Sequence, residues 1–105
     1  MTVIEAQRKL LGAMLISHRT IAVVARSGVS AAHFTTTAHS ALFEAIVSAA
    51  ASHSRPVDAV DVGAFLIEHD RMDDVGGASA IAIILESVAR TDDISTIISR
   101  VLLSR

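Results

Sequence analysis

The sequence has no cysteine, no tryptophan and no tyrosine, and only one proline, five glycines and three phenylalanines in 105 residues. Without cysteine there is neither a disulfide framework nor a thiolate metal site. With so few aromatics, a hydrophobic share of 51% must build its interior from Ala, Val, Ile and Leu, with Phe34, Phe43 and Phe65 as the bulky plugs. No apolar run approaches the ~20 residues that a membrane span needs. Glu5 also stands where a signal peptide would be basic and then apolar. A cytoplasmic protein with no membrane contact is expected. Lysine is nearly missing too. A phosphate-binding loop needs Gly-Lys followed by Ser or Thr, whereas the only lysine, Lys9, follows Arg8 inside a helical segment, which excludes ATP hydrolysis by this route.

Positive charge is scarce as well. Nine Lys and Arg against eleven Asp and Glu leave a net charge of -2. That gives no electrostatic footprint for nucleic acid, whose phosphates are bound by clustered cations that release counterions. Charge is uneven nonetheless. Arg8, Lys9, Arg19 and Arg26 lie early, while Asp58, Asp61, Glu68, Asp70, Asp73 and Asp74 make the middle acidic.

A chain of this length forms a single domain over residues 1–105, burying roughly 60 to 65% of its unfolded surface. The apolar residues follow a helical period, predicting an all-α, compact orthogonal bundle of about six helices. Thr2 and Glu5 have capping-box spacing ahead of a first helix, Val3–Ile16, with Ile4, Leu11 and Leu15 on one stripe. Thr20 is placed to cap a short helix over 21–26, which Gly28 ends. Ser30 then caps a single turn that carries Phe34 inward. His39, Leu42, Phe43, Ile46, Val47 and Ala50 mark a third helix, entered through three threonines able to cap it. Pro56, in "SHSRPVD", turns the chain. Asp61 is expected to cap a fourth helix over 62–69, with Val62, Phe65 and Leu66 inward. Ile81, Ile84, Leu85 and Val88 mark a fifth helix, and Ile94, Ile97, Ile98, Val101 and Leu102 a sixth.

Chemistry-bearing patterns are few. Gly76 and Gly77, in "MDDVGGASAIAIIL", could cradle a phosphate or let two helices approach closely. No strand precedes them and the connection is acidic, so a close approach is the expectation and a cofactor is not. The histidines His18, His33, His39, His53 and His69 never fall at the i, i+4 spacing that sets two imidazoles on one helix face. No metal site is therefore expected, and His39, on an apolar stripe, is read as a buried, hydrogen-bonded histidine. Asp73 with Asp74, and Asp92 with Asp93, are read as helix caps before catalytic pairs. No catalytic residue is assigned, and the chain is not expected to be an enzyme.

"EAQRKLLGAML" at 5–15 resembles the opening of the amino-terminal domain of DnaB-type replicative helicases. "HF" at 33–34, "HSALFEAI" at 39–46, "RPVDAVDVGAFL" at 55–66, "RMDDVGG" at 71–77 and "DISTIISRV" at 93–101 follow in the family's order. The resemblance covers almost the whole chain and singles out Glu5, Leu11, Gly12, Phe34, His39, Phe43, Pro56, Asp58, Gly76 and Gly77 as structural motif residues. It implies a non-catalytic collar that pairs with copies of itself and docks primase or a helicase loader. The RecA-like ATPase motor of such helicases lies outside this chain. A free-standing adaptor or mimic that binds primase or a replicative helicase is the alternative reading. Departures from the family pattern are Gln7 for a second glutamate, Ala80-Ile81 for Tyr-Leu and Ile97-Ile98 for Tyr-Ala. In the family the sixth helix continues into a pairing hairpin, and this chain reaches only to Arg105. The stripe Ile94, Ile97, Ile98, Val101 and Leu102 is therefore expected to lack cover and to serve self-association or a partner. On that expectation, Ile98→Asp with Leu102→Asp gives a folded monomer.

Overall fold

Thr2 Oγ1 accepts the Glu5 amide at 3.1 Å, satisfying one of the donors that a helix start leaves without a partner. Helix α1 (Val3–Ile16) begins there. A computed structural model describes residues 2–87 and 94–103. Among these, α1 is followed by α2 (His18–Ser27), α3 (Thr37–Ser52), α4 (Ala59–Glu68), α5 (Ala78–Glu86) and α6 (Ile94–Leu102). Two 3-10 turns, Ala31–His33 and Met72–Val75, lead into α3 and α5, and there is no strand among the described residues. Extents of 33 × 27 × 24 Å describe a rounded bundle.

Helix α1 is the central strut, packed against α2, α3, α5 and α6. Enclosure on several sides explains why its buried arc, with Ala6, Gln7, Leu10, Leu11, Gly12, Met14 and Leu15, is wider than the single stripe expected. Ile4, assigned to that stripe, is 37% exposed. Leu42, Phe43 and Ile46 of α3 are buried as their stripe predicts, but Ala45 and Ala49 complete the buried face and Val47 is 38% exposed. The alanines win these places because the bundle allows little space between helices. Phe34 packs on Phe43, ring centres 5.0 Å apart and tilted by 35°.

Helix starts differ from expectation where several polar groups compete. Helix α2 begins at His18, with Ser17 at the cap position making no side-chain bond. Helix α4 begins at Ala59 and is capped by Asp58. Asp58 Oδ1 accepts the Asp61 amide at 3.0 Å while Asp61 Oδ2 accepts the Asp58 amide at 3.0 Å. Asp61 is thus the return half of a capping box. Arg55 holds it from outside with a bidentate pair at 2.9 and 2.7 Å. This guanidinium, followed by the Asp58 amide, keeps the Asp61 carboxyl well below the usual carboxylate range.

The glycine pair is a conformational requirement. Gly76 and Gly77 have φ of 94° and 86°, a left-handed region costly to any residue with a Cβ. Together they turn the chain from Met72–Val75 into α5. The expected close approach of two helices is not the cause. A Cβ at Gly77 would meet nothing within 4 Å, and one at Gly76 would meet only Ala80 Cβ, a residue of the following helix turn, at 3.0 Å.

Candidate docking surface

The Gly76 amide donates to the Asp73 carbonyl at 3.1 Å and the Gly77 amide to the Met72 carbonyl at 3.0 Å. Both amides are occupied by their own turn, which is strong evidence against a phosphate cradle. Asp73 and Asp74 do not cap α5. They lie exposed in the preceding 3-10 turn, where Asp74 faces Arg71 at 3.5 Å. Asp92, Asp93 and Val88 lie outside the described residues.

The histidines act locally. His53 Nδ1 lies 2.8 Å from the Ala49 carbonyl and His69 Nδ1 lies 2.9 Å from that of Phe65, in each case closing the end of a helix where carbonyls lack partners. His69 also stacks on Phe65, ring centres 4.1 Å apart. The Ser30 amide donates to His33 Nδ1 at 2.9 Å, fixing the single turn before Phe34. No group of three His, Cys, Asp or Glu among the described residues is arranged to hold a metal ion.

His39 differs from the expectation of a hydrogen-bonded core histidine. It is half-buried, its amide donates to Thr36 Oγ1 at 3.1 Å, and its enclosed Nδ1 has no hydrogen-bond partner among the described residues. Burial first, and the nearby Arg8 second, hold its pKa below the ordinary histidine value. The structure brings Arg8, Ala38, His39, Gly76 and Ile83 to one shallow cleft of about 200 Å³. Its walls are mostly apolar, with the Arg8 cation among them.

The expected self-association stripe is covered by its own chain. Ile97, Ile98 and Val101 are 4%, 7% and 0% exposed, and Ile94 and Leu102 pack partly buried against the same core. The physical reason is α1, against which α6 lies along its length. The premise that the stripe lacks cover is therefore corrected. Large apolar side chains are exposed elsewhere. Val60 and Ile67, on the outer side of α4, are 78% and 69% exposed, and Ile83, beside the His39 cleft, is 57% exposed.

One residue that anchors the motif region went unrecognised in the sequence. Gln7 is fully buried, and its side chain reaches across to the loop entering α3. Its Nε2 donates to the His33 carbonyl at 3.1 Å and to Thr35 Oγ1 at 2.9 Å, while its Oε1 accepts the Thr35 amide at 3.0 Å. A glutamate here could not donate to the His33 carbonyl when ionised, which gives the family departure a physical reason. The remaining motif residues support the frame. Glu5 lies in the first turn of α1, Leu11 and Gly12 are buried in it, and Pro56 and Asp58 bring the chain into α4.

A family model described as the DnaB-like helicase N terminal domain matches residues 2–102. Among solved structures, the crystal structure of the N-terminal domain of DnaB helicase from Mycobacterium tuberculosis is similar, with a TM-score of 0.81 and 27% sequence identity. The match covers 95% of this chain and 70% of that one. Comparison with curated proteins gives no match.

Proposed function

Because the chain belongs to the DnaB-like helicase N-terminal domain family, we propose that it serves as a non-catalytic collar of a replicative DNA helicase. In this role it assembles with copies of itself and docks primase or a helicase loader in the cytoplasm. It binds no nucleic acid directly and leaves ATP hydrolysis to a motor domain.

The observation that carries the reading is the likeness to a DnaB N-terminal domain across nearly the whole bundle. Two features of the chain support it. The glycine amides that could hold a phosphate are occupied by their own turn. Exposed aliphatic side chains on α4 and α5 supply the apolar contacts a docking platform uses.

Affinity capture tests the proposal. The chain is immobilised and presented separately with the cognate primase, the cognate loader and duplex DNA. Retention of primase or loader at micromolar concentration, without DNA, is the expected result. Retention of neither protein overturns the reading.

A further inference from the structure

A ring nitrogen that is enclosed and without a partner is rare in a folded chain. His39 has one: its Nδ1 is shut off from solvent and bonded to nothing among the described residues. His39 lies in the first turn of α3 and lines the cleft where α1, the start of α3, the end of the turn Met72–Val75 and α5 meet. The neutral ring tolerates that place by carrying its proton on Nε2, which leaves Nδ1 a bare acceptor. The imidazolium does not. It needs an acceptor at Nδ1, and an enclosed charged donor left unpaired is costly. It also sets positive charge at the positive end of α3 and near Arg8 of α1. No carboxylate among the described residues lines the cleft to offset this. The turn and α5 bring to it Val75, Gly76, Ala80, Ile83 and Ile84, none of them charged. The other charged groups of α1, the turn and α5, namely Glu5, Lys9, Asp73, Asp74 and Glu86, lie outside its walls. Glu44, the one carboxylate of α3, lines a separate pocket with Phe65 of α4. His33, in the turn before α3, is engaged by the Ser30 amide.

We propose that His39 is an acid-sensitive latch: taking up a proton at Nδ1 forces its ring out of the enclosure and opens the junction between the start of α3 and the chain from Val75 to Ile84. That segment is lightly held. The turn buries only Val75, and α5 only Ile81 and Ile84, so it can part locally while the rest of the bundle stays folded. Opening uncovers Val75 and Ile84, now 2% and 3% exposed, beside Ile83, which is already 57% exposed. The sign follows from linkage. Burial, then Arg8, hold the pKa of His39 low in the closed chain, whereas an opened imidazole returns to about 6.5. The open form therefore binds its proton first as pH falls. The latch is fully closed above about 6.5 and is weakened progressively below it. This window lies above the one in which a carboxylate such as Asp61 loses its contribution, which keeps the two effects apart. The latch belongs to the bundle itself and does not depend on which partner the collar docks.

Nuclear magnetic resonance titration of the intact chain between pH 8 and pH 5, with hydrogen exchange of the backbone amides, tests the latch. The ring of His39 should titrate below those of His18, His33, His53 and His69. After correction for the intrinsic exchange rate, opening at the amides of residues 75–84 should rise by up to about tenfold for each pH unit below about 6.5. His39→Gln and His39→Phe, neither of which titrates in this range, should abolish that rise, and a folding failure in one leaves the other to report. Arg8→Gln should raise the His39 pKa and shrink the acid-driven rise, a change that lost packing alone does not produce. A His39 ring that titrates with the other four overturns the proposal. So does an acid-driven rise that persists in the folded His39 variants, or one spread evenly over all the helices.

Discussion

Gln7 and Thr35 are joined by two hydrogen bonds across a part-buried seam, the Thr35 amide donating to Oε1 at 3.0 Å and Nε2 donating to Thr35 Oγ1 at 2.9 Å. Together with the His33 carbonyl, they tie the central helix to the loop that positions Phe34 and starts α3. Gln7→Leu strands the loop's polar groups and should cost about 2 to 4 kcal/mol in urea melts. Gln7→Glu keeps the shape but places a carboxyl in a fully buried position, where burial favours the protonated form. The folded variant then binds more protons than the unfolded one, so its stability should fall as pH rises past about 4.3. A pH-independent difference from the parent chain would contradict this.

Burial of α6 reverses an expectation drawn from its sequence. Ile98 is 7% exposed against α1, so Ile98→Asp should unfold the chain at ambient temperature, not yield a folded monomer. Phe43→Ala, which also removes the contact with Phe34, should cost about 3 to 5 kcal/mol. A loss under about 1 kcal/mol for Phe43→Ala, small for a core aromatic, would contradict its place in the core.

The glycines separate by conformation. Gly77→Ala forces a Cβ into left-handed backbone and should cost about 1 to 2 kcal/mol. Gly76→Ala should cost more, because its Cβ would also meet Ala80 Cβ at 3.0 Å. Gly63→Ala, in open space within a helix, should stabilise the isolated chain by about 0.5 to 1 kcal/mol. Thermal melts of the three variants check both the order and the signs.

How much of this was legible in the sequence follows from where the deciding contacts lie. Helices α1 and α6 were readable because a local cap at Thr2 and a sustained isoleucine period define them. The start of α4 was missed because Asp58 and Asp61 are both good cap residues, and only their reciprocal bonds decide between them. Gln7 stood out only as a departure from the family pattern, since its burial depends on a loop 26 positions or more along the chain. The α6 stripe was visible, but periodicity does not say what covers it. Val60 was not read as helical because the start of α4 was placed at 62, whereas the helix begins at Ala59.

The Arg55 and Asp61 pair gives acid stability a definite sign. Asp61 has a depressed pKa in the folded chain, so its contribution is present above the unfolded aspartate value of about 3.9 and is lost as pH falls through the folded one. Between pH 5 and 2 the melting temperature of the parent chain should fall more steeply than that of Asp61→Asn, and the two should converge at the acid end. Parallel curves would contradict the pairing.

The central claim, a docking collar of a replicative helicase, is tested most directly by sedimentation velocity of the chain alone and in equimolar mixture with the cognate primase and, separately, with the cognate loader at neutral pH. The account predicts, in at least one mixture, a new boundary that sediments faster than either component. Both mixtures being the simple sum of their parts, with the chain a monomer at every concentration, would contradict it.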